Sequence, residues 1–195
     1  MEGQHRKGAT SVVVAALVSL ALLSAAPDQT MGQSVPEGAE SFQQMVDYLA
    51  GGSGRWRAPN PRHDPTNASS PEAIGLWFQA SARGHLLQLS VVFHIGSEIR
   101  RGEQSYWLWH PGRKEILYHE VSPSGAVRIG TTHFTDEDTF VTLTEAVSSS
   151  GRITSNRGEN VILGENAHRT TAYTLDSEGN WVEQNGLTWT RTPSG

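Results

Sequence analysis

Cysteine is absent from this chain of 195 residues, and so is any long basic run. Without cysteine the protein has no disulfide, no thiol nucleophile, no thiolate metal site and no cysteine for lipid attachment. The formal net charge of −5 offers no positive surface to a phosphate backbone, so nucleic acid is excluded as an expected partner. A Gly-x-Ser-x-Gly elbow, a Gly-rich phosphate loop and an H-E-x-x-H spacing are also lacking. The fold must be held by packing alone, and the sequence favours a binding protein over an enzyme.

The most apolar stretch lies near the N-terminus. His5, Arg6 and Lys7 precede the run "SVVVAALVSLALLSAA", which spans residues 11–26 and ends in small residues. This run is shorter than the roughly 20 apolar residues of a bilayer span and has the regions of a secretory signal. We predict a signal peptide over residues 1–26 and therefore a secreted or periplasmic protein. A retained N-terminal anchor helix is the alternative, and no other membrane contact is expected.

A polar segment and a short helix follow. Residues 27–40 are rich in Gly, Pro, Ser and Gln, which predicts a flexible tether. The next apolar residues have helical i, i+3, i+4, i+7 spacing: Phe42, Met45, Val46 and Leu49. The pattern predicts one short amphipathic helix, with Ser41 as its N-cap and Gly51 or Gly52 at its end.

Residues 41–193 are predicted to form a single β-barrel domain that includes this helix. After a first strand at Trp56, alternating strand patterns are readable at "AIGLWFQASA", "HLLQLSVVFHI", "QSYWLWH", "EILYHEVS", "AVRIGTTHF", "TFVTLTEAV", "HRTTAYTL" and "WVEQNGLTWTRT". Every connection between them is expected to be short, which makes chain neighbours antiparallel. An up-and-down meander of about eight to ten strands removes its two free edges by closing into a barrel. The predicted fold is therefore an all-β, antiparallel barrel preceded by one helix.

Closure would bring the first and last strands together. Gly54 and Trp56 stand at the head of the first strand, and Arg191 stands at the tail of the last. The guanidinium of Arg191 is expected to lie on the indole of Trp56, and Gly54 gives the backbone room beside it. This Gly-x-Trp on the first strand with an Arg on the last resembles the calycin superfamily of lipocalins and lipocalin-like barrels.

A second stretch of the sequence resembles a smaller group of these barrel families. The pattern "YWLWHPGRKEILYHE" followed by "GAVRIGTTHF" looks similar to bacterial lipocalin-like families without an assigned activity, with the nitrobindin-type barrels as more distant relatives. A closed barrel of this size can hold one small ligand, so we predict a protein that binds a small apolar or amphipathic molecule inside the barrel without catalysis. The resemblance also allows haem bound by a single inward histidine, as in nitrobindin-like proteins; no cofactor is otherwise predicted.

Large aromatic residues are the candidates for lining such an interior, although strand aromatics more often serve only as core or surface packing. The predicted ligand-binding residues are Trp77, Phe78, Phe93, Tyr106, Trp107, Trp109, Tyr118 and His119. Because each strand could present either face inward, the sequence does not choose between alternate residues.

Three further alternatives remain open. The histidines on or beside predicted strands could supply a haem ligand: His94, His110, His119, His133 and His168. A barrel enzyme of the isomerase or lyase type could use Glu120 or Glu145 with a histidine as acid and base. A packed barrel without a cavity could act as a protein-interaction module, and a homodimer is the one protein partner expected.

Overall fold

The computed structural model describes residues 38–193, which form one α-helix followed by ten β-strands. The helix, α1, spans Ala39–Ala50. The strands are β1 (Arg55–Pro59), β2 (Ala73–Ser81), β3 (Leu86–Ile95), β4 (Glu98–His110), β5 (Glu115–Val121), β6 (Val127–Phe134), β7 (Thr139–Val147), β8 (Ile153–Gly164), β9 (Ala167–Leu175) and β10 (Trp181–Arg191). The predicted signal peptide, residues 1–26, lies outside the described residues, as does most of the predicted tether.

The ten strands form a closed up-and-down barrel. Each strand pairs antiparallel with its chain neighbours, and β10 pairs with β1 to complete the ring. The predicted fold class is therefore confirmed, with the strand number at the upper end of the expected range. Closure satisfies the backbone hydrogen bonds that two edge strands would otherwise leave exposed.

Strand β8 was missed by the strand prediction. Its inward-facing side chains include Asn156, Gly158 and Asn160, which line the barrel interior. Asn and Gly are depleted in strands and give no apolar alternation, so the segment has the composition of a loop. Pairing with β7 and β9 along its length makes it a strand.

One strand start and one connection also differ from the prediction. Strand β4 begins at Glu98, well before the predicted start at Gln104, because its charged first half pairs with the end of β3. The β1–β2 connection, residues 60–72, is long, which corrects the expectation that every connection is short. Asn60 closes the base of this loop: its side-chain amide donates to the carbonyl of Pro71 at 2.7 Å.

Helix α1 begins two residues earlier than its predicted cap. Gly38 is the N-cap, and the Ser41 hydroxyl donates to the Gly38 carbonyl at 2.7 Å instead of capping the helix N–H groups. The expectation of Ser41 as N-cap was wrong; Gly51 ends the helix as expected. In the described part of the chain, no helix combines the length and hydropathy needed to cross a bilayer.

The apolar face of α1 covers one end of the barrel. Its four periodic residues are buried in the main core: Phe42, Met45, Val46 and Leu49. The polar residues of α1 bind the turns at this end, since Gln44 donates to the Glu137 carbonyl at 3.0 Å. Tyr48 likewise donates to the Ala167 carbonyl at 2.8 Å. The opposite end, which carries the β5–β6 and β7–β8 turns, has no helix among the described residues.

The seam between β1 and β10 joins the barrel to its helix. Trp56 pairs with Arg191, whose guanidinium carbon lies 4.0 Å from the indole ring centroid. The guanidinium also donates to the carbonyls of Tyr48 at 2.7 Å and Glu165 at 3.2 Å, and to that of Gly51. One cation therefore holds the indole, the helix C-terminus and the β8–β9 turn.

Gly54 allows this arrangement. Its backbone φ is +62°, in the region that favours glycine, and a Cβ there would lie 2.4 Å from the carbonyl oxygen of Phe78. A side chain at this position would push β1 away from β2. The glycine of the Gly-x-Trp pattern is therefore required by close backbone approach.

His168 lies behind the seam. Its ring is 4.6 Å from that of Trp56 in an edge-to-face arrangement and stacks 6.2 Å from Trp189. It is 1% exposed, and its Nδ1 makes no hydrogen bond within residues 38–193. Burial, with a smaller contribution from the Arg191 charge, lowers the pKa of His168 to about 4. The ring is therefore packed as a neutral aromatic group.

Replacing Arg191 with Met is expected to lower the free energy of unfolding by about 2–3 kcal/mol, because charge-assisted hydrogen bonds and a cation–π contact are lost. Arg191→Lys keeps the charge but not the planar fork, so it should fall between wild type and Met. Urea denaturation measures both. Arg169→Met, on the exposed surface of β9, is the matched control; equal effects at both sites would contradict the role assigned to the seam.

The neutral burial of His168 predicts acid sensitivity. Below its unfolded-state pKa of about 6.5 the unfolded chain binds a proton that the folded protein excludes, so stability falls with decreasing pH until about 4. The loss should reach about 3 kcal/mol at most. His168→Phe should remove this component when urea unfolding is compared at about pH 7 and about pH 4.5. The exposed His133→Phe is the control, and an unchanged pH dependence in His168→Phe would refute the prediction.

Candidate functional site

The barrel encloses a cavity of about 420 Å³ above the helix-covered end. This volume lies within the range of small-molecule sites. Side chains from α1 and from most of the strands reach it, because alternate residues of each closed strand point inward. Its wall has two chemically different halves.

One half of the wall is apolar and aromatic. It is formed by α1 and strands β2–β5, through Leu49, Leu76, Phe78, Leu89, Trp107 and Tyr118. The rings of Trp107 and Tyr118 pack with centroids 4.8 Å apart, and Phe78 lies 6.2 Å from Trp107. Trp107 donates its indole N–H to the Thr132 hydroxyl at 3.1 Å, which fixes the ring orientation. This half provides a rigid apolar surface.

The other half carries most of the neutral polar groups of the wall, although Phe140 and Arg157 also line it. Strands β7–β9 contribute its hydroxyl and amide groups: Thr142, Thr144, Asn156, Asn160, Thr170 and Thr174. Thr170 accepts from the Trp189 indole at 3.0 Å and donates to Asn160 Oδ1 at 2.8 Å. Because these groups face a cavity instead of an apolar core, they can remain hydrogen-bonded to water or to a ligand.

An ion pair stands where β5 and β6 approach the open end. Glu120 is buried, and its Oε2 accepts from the Tyr118 hydroxyl at 2.5 Å and from the Ser105 hydroxyl at 3.3 Å. Its Oε1 pairs with the guanidinium of Arg128, directly opposite on β6. Burial first, and then the Glu120 charge, raises the pKa of Tyr118, so its hydroxyl remains a proton donor.

The structure divides the predicted ligand-binding residues by strand face. Phe78, Trp107 and Tyr118 line the cavity. Trp77, Tyr106 and His119 each lie next to one of these residues along a strand and therefore point outward. Trp77 is covered there by the Arg55 guanidinium, 5.0 Å from its ring.

The last two predicted residues, Phe93 and Trp109, do not line the cavity. Phe93 packs over the neighbouring strand, where a Cβ at Gly102 would lie 2.6 Å from its ring. Trp109 lies at the helix-covered end, in a groove that it shares with Gly38 and Ser41. The structure thus brings together only part of the predicted set.

Sequence reasoning missed the polar part of the site. Arg128, Thr144, Asn156 and Asn160 were not among the candidates, and Glu120 was considered only as a catalytic residue. A signal was present at Arg128, because alternation in "VRIGTTHF" places it on the same face as Thr132 and Phe134. That pattern did not show that Glu120 on β5 lies opposite Arg128.

The histidines do not converge on the cavity. None lines it in the part of the chain that the structure describes, and no cluster of His, Asp or Glu there could hold a metal ion. His168 is enclosed by the seam, and His119 and His133 are exposed on the outer face. The residues present therefore do not fit a haem held by a histidine inside this cavity.

The two carboxylates considered for the enzyme alternative lie on opposite faces of the barrel wall. Glu120 is in the cavity, whereas Glu145 is exposed on the outside of β7. The hydrogen-bond partners of Glu120 are Tyr118, Ser105 and Arg128, with no histidine among them.

Comparison with known protein families and with curated proteins found no match for this chain.

The Tyr118 hydroxyl is expected to stabilise the buried carboxylate of Glu120. Tyr118→Phe should lower the free energy of unfolding by about 1–3 kcal/mol, the cost of removing a partner from a buried charged group. Tyr106→Phe removes the same hydroxyl from the outer face and should change stability by less than about 0.5 kcal/mol. Urea denaturation compares the two variants; similar losses would show that Glu120 does not depend on Tyr118.

Proposed function

We propose that this protein is a lipocalin-like carrier that binds a small amphipathic molecule in the barrel interior without catalysis. The single observation that carries the proposal is the divided wall of the cavity. An aromatic and aliphatic half faces a half that carries most of the hydroxyl and amide groups of the wall. This combination suits a molecule with an apolar body and a polar edge.

The family assignment is part of the proposal. The closed antiparallel barrel with one covering helix is consistent with a calycin-like barrel. Gly54, Trp56 and Arg191 occupy the seam in the manner that the resemblance implies. Together with the predicted signal peptide, these features support a secreted or periplasmic lipocalin-like protein.

Binding is favoured over acid–base catalysis by the state of Glu120. A general base needs a free lone pair near the proton it removes and a second titratable group for the return step. Glu120 is already held by two hydroxyls and a guanidinium. The alternative enzyme would have to break this cluster before it could act.

Binding can be tested with N-phenyl-1-naphthylamine, an uncharged dye that fluoresces in apolar sites. It should bind wild type at about one molecule per chain and quench tryptophan emission by energy transfer, because Trp107 lines the cavity. Gly158→Leu should abolish binding: Gly158 lines the cavity, and a Cβ added there meets nothing within 4 Å, so the new side chain can fill the space.

Ser155→Leu is the matched control, because Ser155 lies on the same strand but faces outward. It should bind the dye as wild type does. Circular dichroism would check that both variants fold. Equal binding by wild type and Gly158→Leu would place the dye outside the cavity and refute the proposal, as would no binding by wild type.

A further inference from the structure

We infer that the cavity selects an uncharged ligand whose polar part is a hydroxyl or carbonyl group. It rejects ligands of the same shape that carry a carboxylate or an ammonium group. This inference rests on the proposed binding function and names the chemical class of the ligand. The pairing of Glu120 with Arg128 is its central observation.

The charges that line the cavity are balanced. Its ionised side chains are Glu120, Arg128 and Arg157, and Arg157 is paired with Glu159. The groove adjoining the ion pair at the open end adds Glu103 and Arg152, again one charge of each sign. A charged ligand would leave water without meeting an unpaired opposite charge, which is costly.

Glu120 is poorly available to a cationic ligand. Its side chain is 11% exposed, and both of its oxygens already accept hydrogen bonds from the protein. Glu120 in turn neutralises Arg128, which keeps 44% of its side chain exposed. A ligand carboxylate at Arg128 would lie beside the carboxylate of Glu120, and like charges so close repel. The pair therefore opposes ligands of either charge.

The rest of the polar wall fits neutral groups. The Asn156 amide N–H donates to the Thr154 carbonyl at 3.2 Å, which leaves its side-chain oxygen as an acceptor. Asn160 is the opposite case: its oxygen accepts from Thr170 at 2.8 Å, which leaves its amide N–H groups as donors. Hydroxyl and carbonyl groups can pair with such partners without any net charge.

The test uses three unbranched competitors of ten carbons each: 1-decanol, decanoate and decylammonium. Each is titrated against N-phenyl-1-naphthylamine bound to the full-length protein at neutral pH. Decanol should displace the dye from wild type at least about ten-fold more effectively than either charged competitor. Decanoate or decylammonium competing as well as decanol would overturn the inference.

Charge variants give a second, independent readout. Glu120→Gln frees Arg128, so the preference for decanol over decanoate should fall by about ten-fold or more. Arg128→Gln frees Glu120, so the preference for decanol over decylammonium should fall instead. Glu145→Gln removes an exposed carboxylate from the outer face of β7 and should leave both ratios unchanged. Unchanged ratios in the first two variants, with the fold verified by circular dichroism, would refute the assigned role of the ion pair.

Failure of this inference is distinguishable from failure of the proposed function. If the dye binds wild type but not Gly158→Leu, the cavity is a binding site whichever competitor prevails. In that case the competitor ratios test only the inference that the cavity selects uncharged ligands. If Glu120→Gln does not fold, the wild-type ratios and the Arg128→Gln variant still decide it.

Discussion

The contact between Arg191 and Trp56 is the interaction on which the rest of the structure depends. The guanidinium lies on the indole at the β1–β10 seam and donates to carbonyls of α1 and of the β8–β9 turn. The indole N–H, in turn, donates to the Leu49 carbonyl at 2.9 Å. The last strand, the first strand and the helix are thus tied at one point, so barrel closure and the covering of one end are achieved by the same residues. Leu49 of this covering helix forms part of the cavity wall.

Closure also decides the chemistry of the interior. Once the strand register is set, alternation sends every second side chain inward, whatever its polarity. On β2–β5 this places Phe78 and Trp107 inside, and on β7–β9 it places Asn156 and Asn160 inside. Across strands β5–β8 the outer face carries exposed apolar residues, such as Ile129 and Ile153. The polar interior on β7–β9 indicates that the barrel encloses more than a packed core. The predicted homodimer stays a prediction.

The proposed function follows from combining a rigid apolar wall with a neutral polar wall. The aromatic rings are fixed by packing and by the Trp107–Thr132 hydrogen bond, so the site needs little rearrangement to accept a ligand. The Glu120–Arg128 pair has an unusual consequence in such a site. We infer that the two paired charges make the cavity selective for uncharged molecules, because each neutralises the other. Affinity would then come from apolar contact and orientation from neutral hydrogen bonds.

Local patterns in the sequence determined the fold class, α1 and most strands, because amphipathic periodicity and turn residues act within a few positions. The pairing of Trp56 with Arg191 was also readable, since closing a meander brings its ends together. Strand β8 was not readable: its Asn and Gly residues are stabilised as a strand only by β7 and β9. Nor could the sequence choose between Trp77 and Phe78 or between Trp107 and Tyr106, because alternation defines two faces without saying which is inside. Only the tertiary structure decided that, and with it the meeting of Glu120 and Arg128, because strand register is a property of the whole closed sheet.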